Sequence, residues 1–218
     1  MMSKAITLLL ALAGALSMAT GARAQDAEAG HKKAAMCFGC HGITGYQASF
    51  PEIYKVPMIA GQGAKYIVSA LGAYKKGDRK HPTMRAIAGS LSDTDRADLA
   101  AFYERDGASS IKMVADTPAA PSAAVSALIA KGACNSCHGA NFSKPIDPSY
   151  PKLAGQYADY LYAALRAYGT TGNPHIGRAQ AVMSAQVKQF KRDELKALAQ
   201  YLGSLPGEVR TVPESKFR

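Results

Sequence analysis

The chain has 218 residues, 48% of them apolar and 19% charged, with Lys+Arg 26 against Asp+Glu 16 and a formal net charge of +10. That balance excludes a disordered or collagen-like chain, and four cysteines are too few for a disulfide scaffold of this length. The length suits one large or two small domains.

The first residues read as a targeting segment. Lys4 supplies a positive start, Ile6 to Ala19 form an apolar stretch, and Ala22-Arg23-Ala24 is a small-x-small cleavage site before Gln25. The stretch is shorter than the roughly 20 residues a membrane-spanning helix needs, which favours a signal peptide over residues 1–24 rather than an uncleaved anchor. No cysteine precedes Cys37, so lipidation of an N-terminal cysteine is excluded. The expected product is exported to the periplasm and at most peripherally associated with a membrane.

From Gln25 onward the chain is a tandem repeat. Cys37-Phe-Gly-Cys40-His41-Gly42 recurs as Cys134-Asn-Ser-Cys137-His138-Gly139. Pro57-Met-Ile-Ala-Gly61-Gln62 recurs as Pro151-Lys-Leu-Ala-Gly155-Gln156. Tyr66, Ile67, Ala70, Leu71 and Tyr74 recur as Tyr160, Leu161, Ala164, Leu165 and Tyr168, each set on one helical face. Met84 matches Met183. Ser92 with Asp95 resembles a capping box ahead of Leu99, Phe102 and Tyr103; in the second copy Lys191 takes the place of Ser92. The predicted division is a first domain over 25–113, a Pro/Ala linker over 114–121 and a second domain over 122–218. No segment alternates with period two, and the predicted fold is all-α. Each copy is small for a core made of protein atoms alone, which points to a large apolar ligand in each.

Cys-x-x-Cys-His is the attachment signature of a c-type haem. Cysteines at i and i+3 share a helix face, so both thiols can meet the two vinyl groups of one porphyrin while the following histidine turns a ring nitrogen to the iron. The two motifs use every cysteine. A thioredoxin-like site would need a βαβ context, and a zinc site would need its cysteine pairs closer in sequence. The expected cofactors are therefore two covalent haems, one on Cys37 and Cys40 with His41 as axial ligand, the other on Cys134 and Cys137 with His138. For the sixth ligand, only Met84 and Met183 occupy equivalent positions in both copies. His81 and His175 do not match each other, and they and His31 stay unassigned. Ligation by histidine and methionine closes the iron and favours its reduced form, which describes an electron carrier rather than a catalyst. Pro57 and Pro151 are candidates to orient His41 and His138 through their carbonyls, with simple turn formation as the competing reading.

These residues resemble the dihaem cytochrome c4 family over nearly the whole mature chain. The likeness rests on the two Cys-x-x-Cys-His-Gly motifs, the two Pro-x-[Ile/Leu]-Ala-Gly-Gln turns, the methionine pair, and Gly77-Asp-Arg-Lys-His-Pro-Thr-Met84. The resemblance implies two tandem cytochrome c-like helical domains related by a pseudo-twofold axis, with haems meeting at the interface. It also implies a periplasmic carrier passing electrons from a quinol-oxidising complex or dehydrogenase toward a terminal oxidase. The competing readings are a cytochrome subunit of a periplasmic dehydrogenase, such as a sulfide-oxidising flavocytochrome, and a dihaem enzyme, against which the paired methionines argue. The second copy carries Thr170-Thr-Gly-Asn-Pro174 where Lys76-Gly-Asp-Arg79 stands in the first. Residues 25–113 carry a net +3 and 114–218 a net +5, which suits acidic redox partners. Nucleic acid is not an expected partner, since there is no basic helix or aromatic array to read it.

Overall fold

A computed structural model describes residues 25–108 and 120–213. The expected signal peptide, residues 114–119 of the expected linker, and Met113 lie outside the described residues.

The described residues form ten helices and two short ladders, so the all-α expectation holds with four two-residue strands added. The first half comprises α1 (Ala27–Lys33), α2 (Ala35–His41), β1 (Gln47–Ala48), β2 (Tyr54–Lys55), α3 (Ala64–Lys76), β3 (Arg79–Lys80), α4 (Pro82–Ser90) and α5 (Asp93–Ala108). The second comprises α6 (Ala123–Lys131), α7 (Cys134–His138), α8 (Ala158–Gly169), β4 (Gly177–Arg178), α9 (Ala181–Val187) and α10 (Arg192–Ser204). Strands of two residues cannot show an alternating pattern, which is why the sequence reading found none.

Local chemistry sets the helix starts. Asp26 caps α1 by accepting from the Glu28 and Ala29 amides at 2.9 and 3.1 Å. Ser92 and Asp95 form the reciprocal box at the head of α5, with the Ser92 amide donating to Asp95 at 2.9 Å and the Asp95 amide to Ser92 at 3.1 Å. At the head of α10 half of the box survives, because the Lys191 amide still donates to Glu194 at 2.7 Å. Helices α1 and α5 cross closely at Gly30, where an added Cβ would lie 2.1 Å from the Asp98 carbonyl oxygen.

Two cores result. Ala34, Phe38, Ile67, Leu99 and Phe102 anchor the first, with the Phe38 and Phe102 rings edge to face at 6.1 Å. Phe142, Leu161, Ala199 and Leu202 anchor the second. The apolar stripes of α3 and α8 are not wholly absorbed by these cores: all ten of the repeated positions line a common cavity.

The halves meet in a pseudo-twofold manner. Antiparallel strands β3 and β4 join them, with Arg79 opposite Arg178. The Lys55 amide donates to Asp159 at 3.1 Å, and Arg166 pairs with Glu52. The tail beyond α10 then leaves the second half: the Arg210 amide donates to the Ala60 carbonyl at 2.9 Å, and Val212 packs on the first core. Among the described residues no helix is long and apolar enough to cross a membrane.

Candidate haem-binding site

One cavity of about 630 Å³ runs through both halves. Cys37, Cys40, His41 and Met84 line it from the first half, and Cys134, Cys137, His138 and Met183 from the second. Helix α2 carries the first three residues of one set within a turn and a half; α7, entered through Ala133 in the left-handed region (φ 46°), carries their counterparts.

The two imidazoles are held alike. His41 Nδ1 lies 2.8 Å from the Pro57 carbonyl oxygen and His138 Nδ1 lies 3.3 Å from that of Pro151. With Nδ1–H donating to a carbonyl, Nε2 keeps its lone pair for a ligand. Burial pushes both imidazole pKa values below the ordinary histidine value, and the carbonyl contact opposes that push only in part; both rings stay neutral near pH 7. Burial likewise raises the pKa of the Cys37 and Cys134 thiols. None of the four cysteines is in a disulfide.

The methionines sit in the first turns of equivalent helices. The Met84 amide donates to His81 Nδ1 at 3.3 Å, and the Met183 amide donates to Gln180 Oε1 at 2.6 Å. His81 therefore caps α4 as Gln180 caps α9. His175 is exposed, with its ring 5.3 Å from that of Phe50. His31 stacks on Phe102 at 5.0 Å, away from the cavity lining.

Among the described residues no three His, Cys, Asp or Glu groups converge as a metal cage would require. Each half instead offers one neutral imidazole, one thioether and a pair of neighbouring thiols against an apolar helix stripe. That donor set fits a haem, a flat apolar ring that brings its own four equatorial nitrogens and reacts with two thiols.

Sequence reasoning did not single out Arg79 and Arg178, or Gln62 and Gln156 beyond their turns. The alignment of residues 170–174 with 76–79 is corrected by the structure: Arg79 corresponds to Arg178, five residues before each methionine, and the extra residues of the second copy come earlier. The signal was present in that equal spacing to Met84 and Met183.

The cytochrome c family profile matches residues 27–104 and 122–206. A cytochrome c4 from Azotobacter vinelandii is 31% identical, covering 94% of this chain and all of that protein. A protein of Stutzerimonas stutzeri named as a thiosulfate dehydrogenase electron acceptor is 31% identical over 89% of this chain and 94% of its own. The crystal structure of reduced recombinant cytochrome c4 from Pseudomonas stutzeri superposes with a TM-score of 0.58 at 26% identity, covering 84% of this chain and 100% of that one.

Proposed function

The chain belongs to the cytochrome c4 family, dihaem electron carriers, and from that premise we propose that it shuttles electrons in the periplasm from a quinol-oxidising complex or dehydrogenase toward a terminal oxidase. In this reading residues 1–24 direct export and are then cleaved after Ala24, and the working units are the domains at 25–113 and 122–218.

Each haem, when bound, supplies one-electron chemistry at its iron. The chain's own residues hold and tune it. Cys37 and Cys40 tether the first haem and Cys134 and Cys137 the second. His41 with Met84 would ligate the first iron and His138 with Met183 the second, which would leave neither iron open to oxygen or peroxide. The Pro57 and Pro151 carbonyls fix the tautomer and the orientation of the imidazoles. Apolar residues of α3 and α8, among them Ile67 and Leu161, line the cavity and would keep water from a bound haem, which with the thioether would favour the reduced state.

The observation that carries this reading is that both four-residue sets line a single cavity across the domain boundary. Haem counting and potentiometry on protein purified from periplasm test it. Two low-spin haems per chain with the methionine–iron(III) band in the red are expected; a high-spin signal with peroxide turnover would overturn it in favour of a dihaem enzyme. The name of the Stutzerimonas stutzeri relative supports a second reading, in which the chain accepts electrons directly from a periplasmic dehydrogenase, flavoproteins included. Stable co-purification with such an enzyme, rather than rapid turnover with an oxidase, would distinguish it.

A further inference from the structure

Arg79 and Arg178 face each other in the β3–β4 ladder. Each is the other's counterpart in the repeat, so the local twofold runs between them. Directly opposed residues of an antiparallel pair project from the same side with Cβ atoms roughly 5 Å apart, and the charge of Arg178 is felt at Arg79. Arg79 donates to the Tyr66 hydroxyl and Arg178 to the Tyr160 hydroxyl, both at 3.0 Å. Arg79 also lies 5.3 and 5.7 Å from the Tyr66 and Tyr74 ring centres, and Arg178 lies 5.5 and 5.4 Å from those of Tyr160 and Tyr168. All six residues line the cavity.

Arginine stays protonated in proteins, and each carries five N–H donors. Two like charges held side by side in a half-buried site are costly unless an anion answers them. The tyrosines supply ring faces and one hydroxyl acceptor to each arginine. Burial raises the pKa of Tyr66 and Tyr74, whereas at Tyr160 and Tyr168 the arginines outweigh burial and pull the pKa below the ordinary phenol value. None of the four is a carboxylate that could answer the charges with a fork. Among the described residues neither arginine forms an ion pair with a carboxylate. The charge of each arginine also reaches the tyrosines of the other half: Arg178 acts on Tyr66 and Tyr74, and Arg79 on Tyr160 and Tyr168. The rest of the cavity is largely apolar along α3 and α8. A ligand that fills it thus needs a greasy body and carboxylates at the domain boundary.

We infer that Arg79 and Arg178 form one shared carboxylate clasp that holds propionates of both haems, so that each arginine sets the potential of both irons. The inference rests on the haem reading above. An arginine opposite a propionate offsets negative charge near the iron and favours the reduced state. Because the clasp lies on the twofold, the effect is not confined to the half that supplies the arginine.

The test is Arg79→Gln and Arg178→Gln in the full holoprotein, with haem content measured first and both potentials titrated. Each single variant is expected to lower both potentials, and Arg79→Lys or Arg178→Lys to recover part of the drop, since lysine keeps the charge but loses the fork. A variant with two haems and unchanged potentials, or a shift confined to the haem of its own half, overturns the clasp while leaving the carrier reading intact. Absence of haem from the unaltered protein would sink the carrier reading instead. Should the glutamine variants fail to mature, redox-difference infrared spectra of the lysine variants read the propionate bands directly: perturbed bands from both haems support the clasp, and bands identical to those of the unaltered protein overturn it.

Discussion

Gln62 and Gln156 reach across the domain boundary in opposite directions. Gln62 Nε2 donates to the Lys152 carbonyl at 3.0 Å while its Oε1 accepts from the Lys152 amide at 2.8 Å; Gln156 does the same to Met58 at 2.8 and 3.0 Å. Lys152 and Met58 are themselves repeat counterparts, so one contact is used twice. Both glutamines are buried, and the Ala-Gly turn before each holds its glycine at φ 82° or 75°, a region costly for other residues. Each side chain thus acts as a short strand, satisfying an amide and a carbonyl that would otherwise be buried unpaired.

Gln62→Ala and Gln156→Ala should each therefore destabilise the joined molecule by about 1–3 kcal/mol, the cost of leaving buried backbone groups unsatisfied. Calorimetry checks this. The single transition of a coupled pair should broaden or split in either variant, because the loss falls on the boundary rather than on a core. A variant that melts like the unaltered protein would show that water replaces the carboxamide at no cost.

Replacing Met84 with histidine should lower the potential of the first haem and leave the second nearly unchanged, since bis-histidine ligation stabilises iron(III) relative to histidine–methionine. Met183→His should do the converse. Redox titration with the two haems resolved decides both; no downward shift in the Met84 variant removes it as the ligand.

Much of this organisation was legible in the chain because a duplication prints its constraints twice. The haem-motif cysteines, His41, His138 and the methionines stand out through identical residues at nearly constant spacing, and the helical stripes of α3 and α8 through their period. The boundary was not legible for a physical reason. Strand pairing between Arg79 and Arg178, the exchanged glutamines and the return of Arg210 and Val212 to the first half are contacts between segments far apart in sequence, and two-residue ladders leave no periodic trace. His81 was ambiguous for a different reason: its capping role is shared with Gln180, a residue of another type, so repeat symmetry in residue identity could not expose it.

Acid should weaken the first half through one cluster. The Asp26 amide, at 3.0 Å, and the Lys33 ammonium, at 2.9 Å, hold the Asp98 carboxyl below the usual carboxylate range. Lys33, then Ser92, do the same for Asp95. A carboxylate whose folded pKa is depressed contributes stability above its unfolded pKa, about 3.9, and loses that contribution as pH falls through the folded value. The raised pKa of Lys33 works at the other extreme, its contribution vanishing only in strong alkali. Asp98→Asn keeps an oxygen for the Asp26 amide but drops the charge. Its melting temperature should fall below that of the unaltered protein at pH 7, and the gap should shrink at a pH below the unfolded value of about 3.9, closing as the pH passes the depressed folded value. A gap of the same size at both pH values would assign the effect to packing.

Duplication did not preserve charge beside the two cysteine pairs of the cavity, so the two halves present different surfaces there. Lys188, Lys191 and Arg192 are exposed where the first copy has Gly89, Ser92 and Asp93. Lys131, partly offset by Glu194 at 3.7 Å, stands beside them, its ammonium 4.8 Å from the ring centre of Phe190, which lines the cavity with Cys134. The corresponding edge of the first half carries Met36, 49% exposed, and an Asp93 already paired with Arg96. An anionic oxidant should therefore be drawn to the second haem, at a rate that falls steeply with salt. With ferricyanide as that oxidant, Lys188→Glu/Lys191→Glu should slow oxidation of the reduced protein several-fold at low ionic strength and flatten the salt dependence, while rates with a neutral quinone stay the same. Exposed lysines carry little of the folding energy, so a loss with both reagents would point to a damaged haem site rather than to steering. Equal salt slopes before and after substitution would place the encounter elsewhere on the surface.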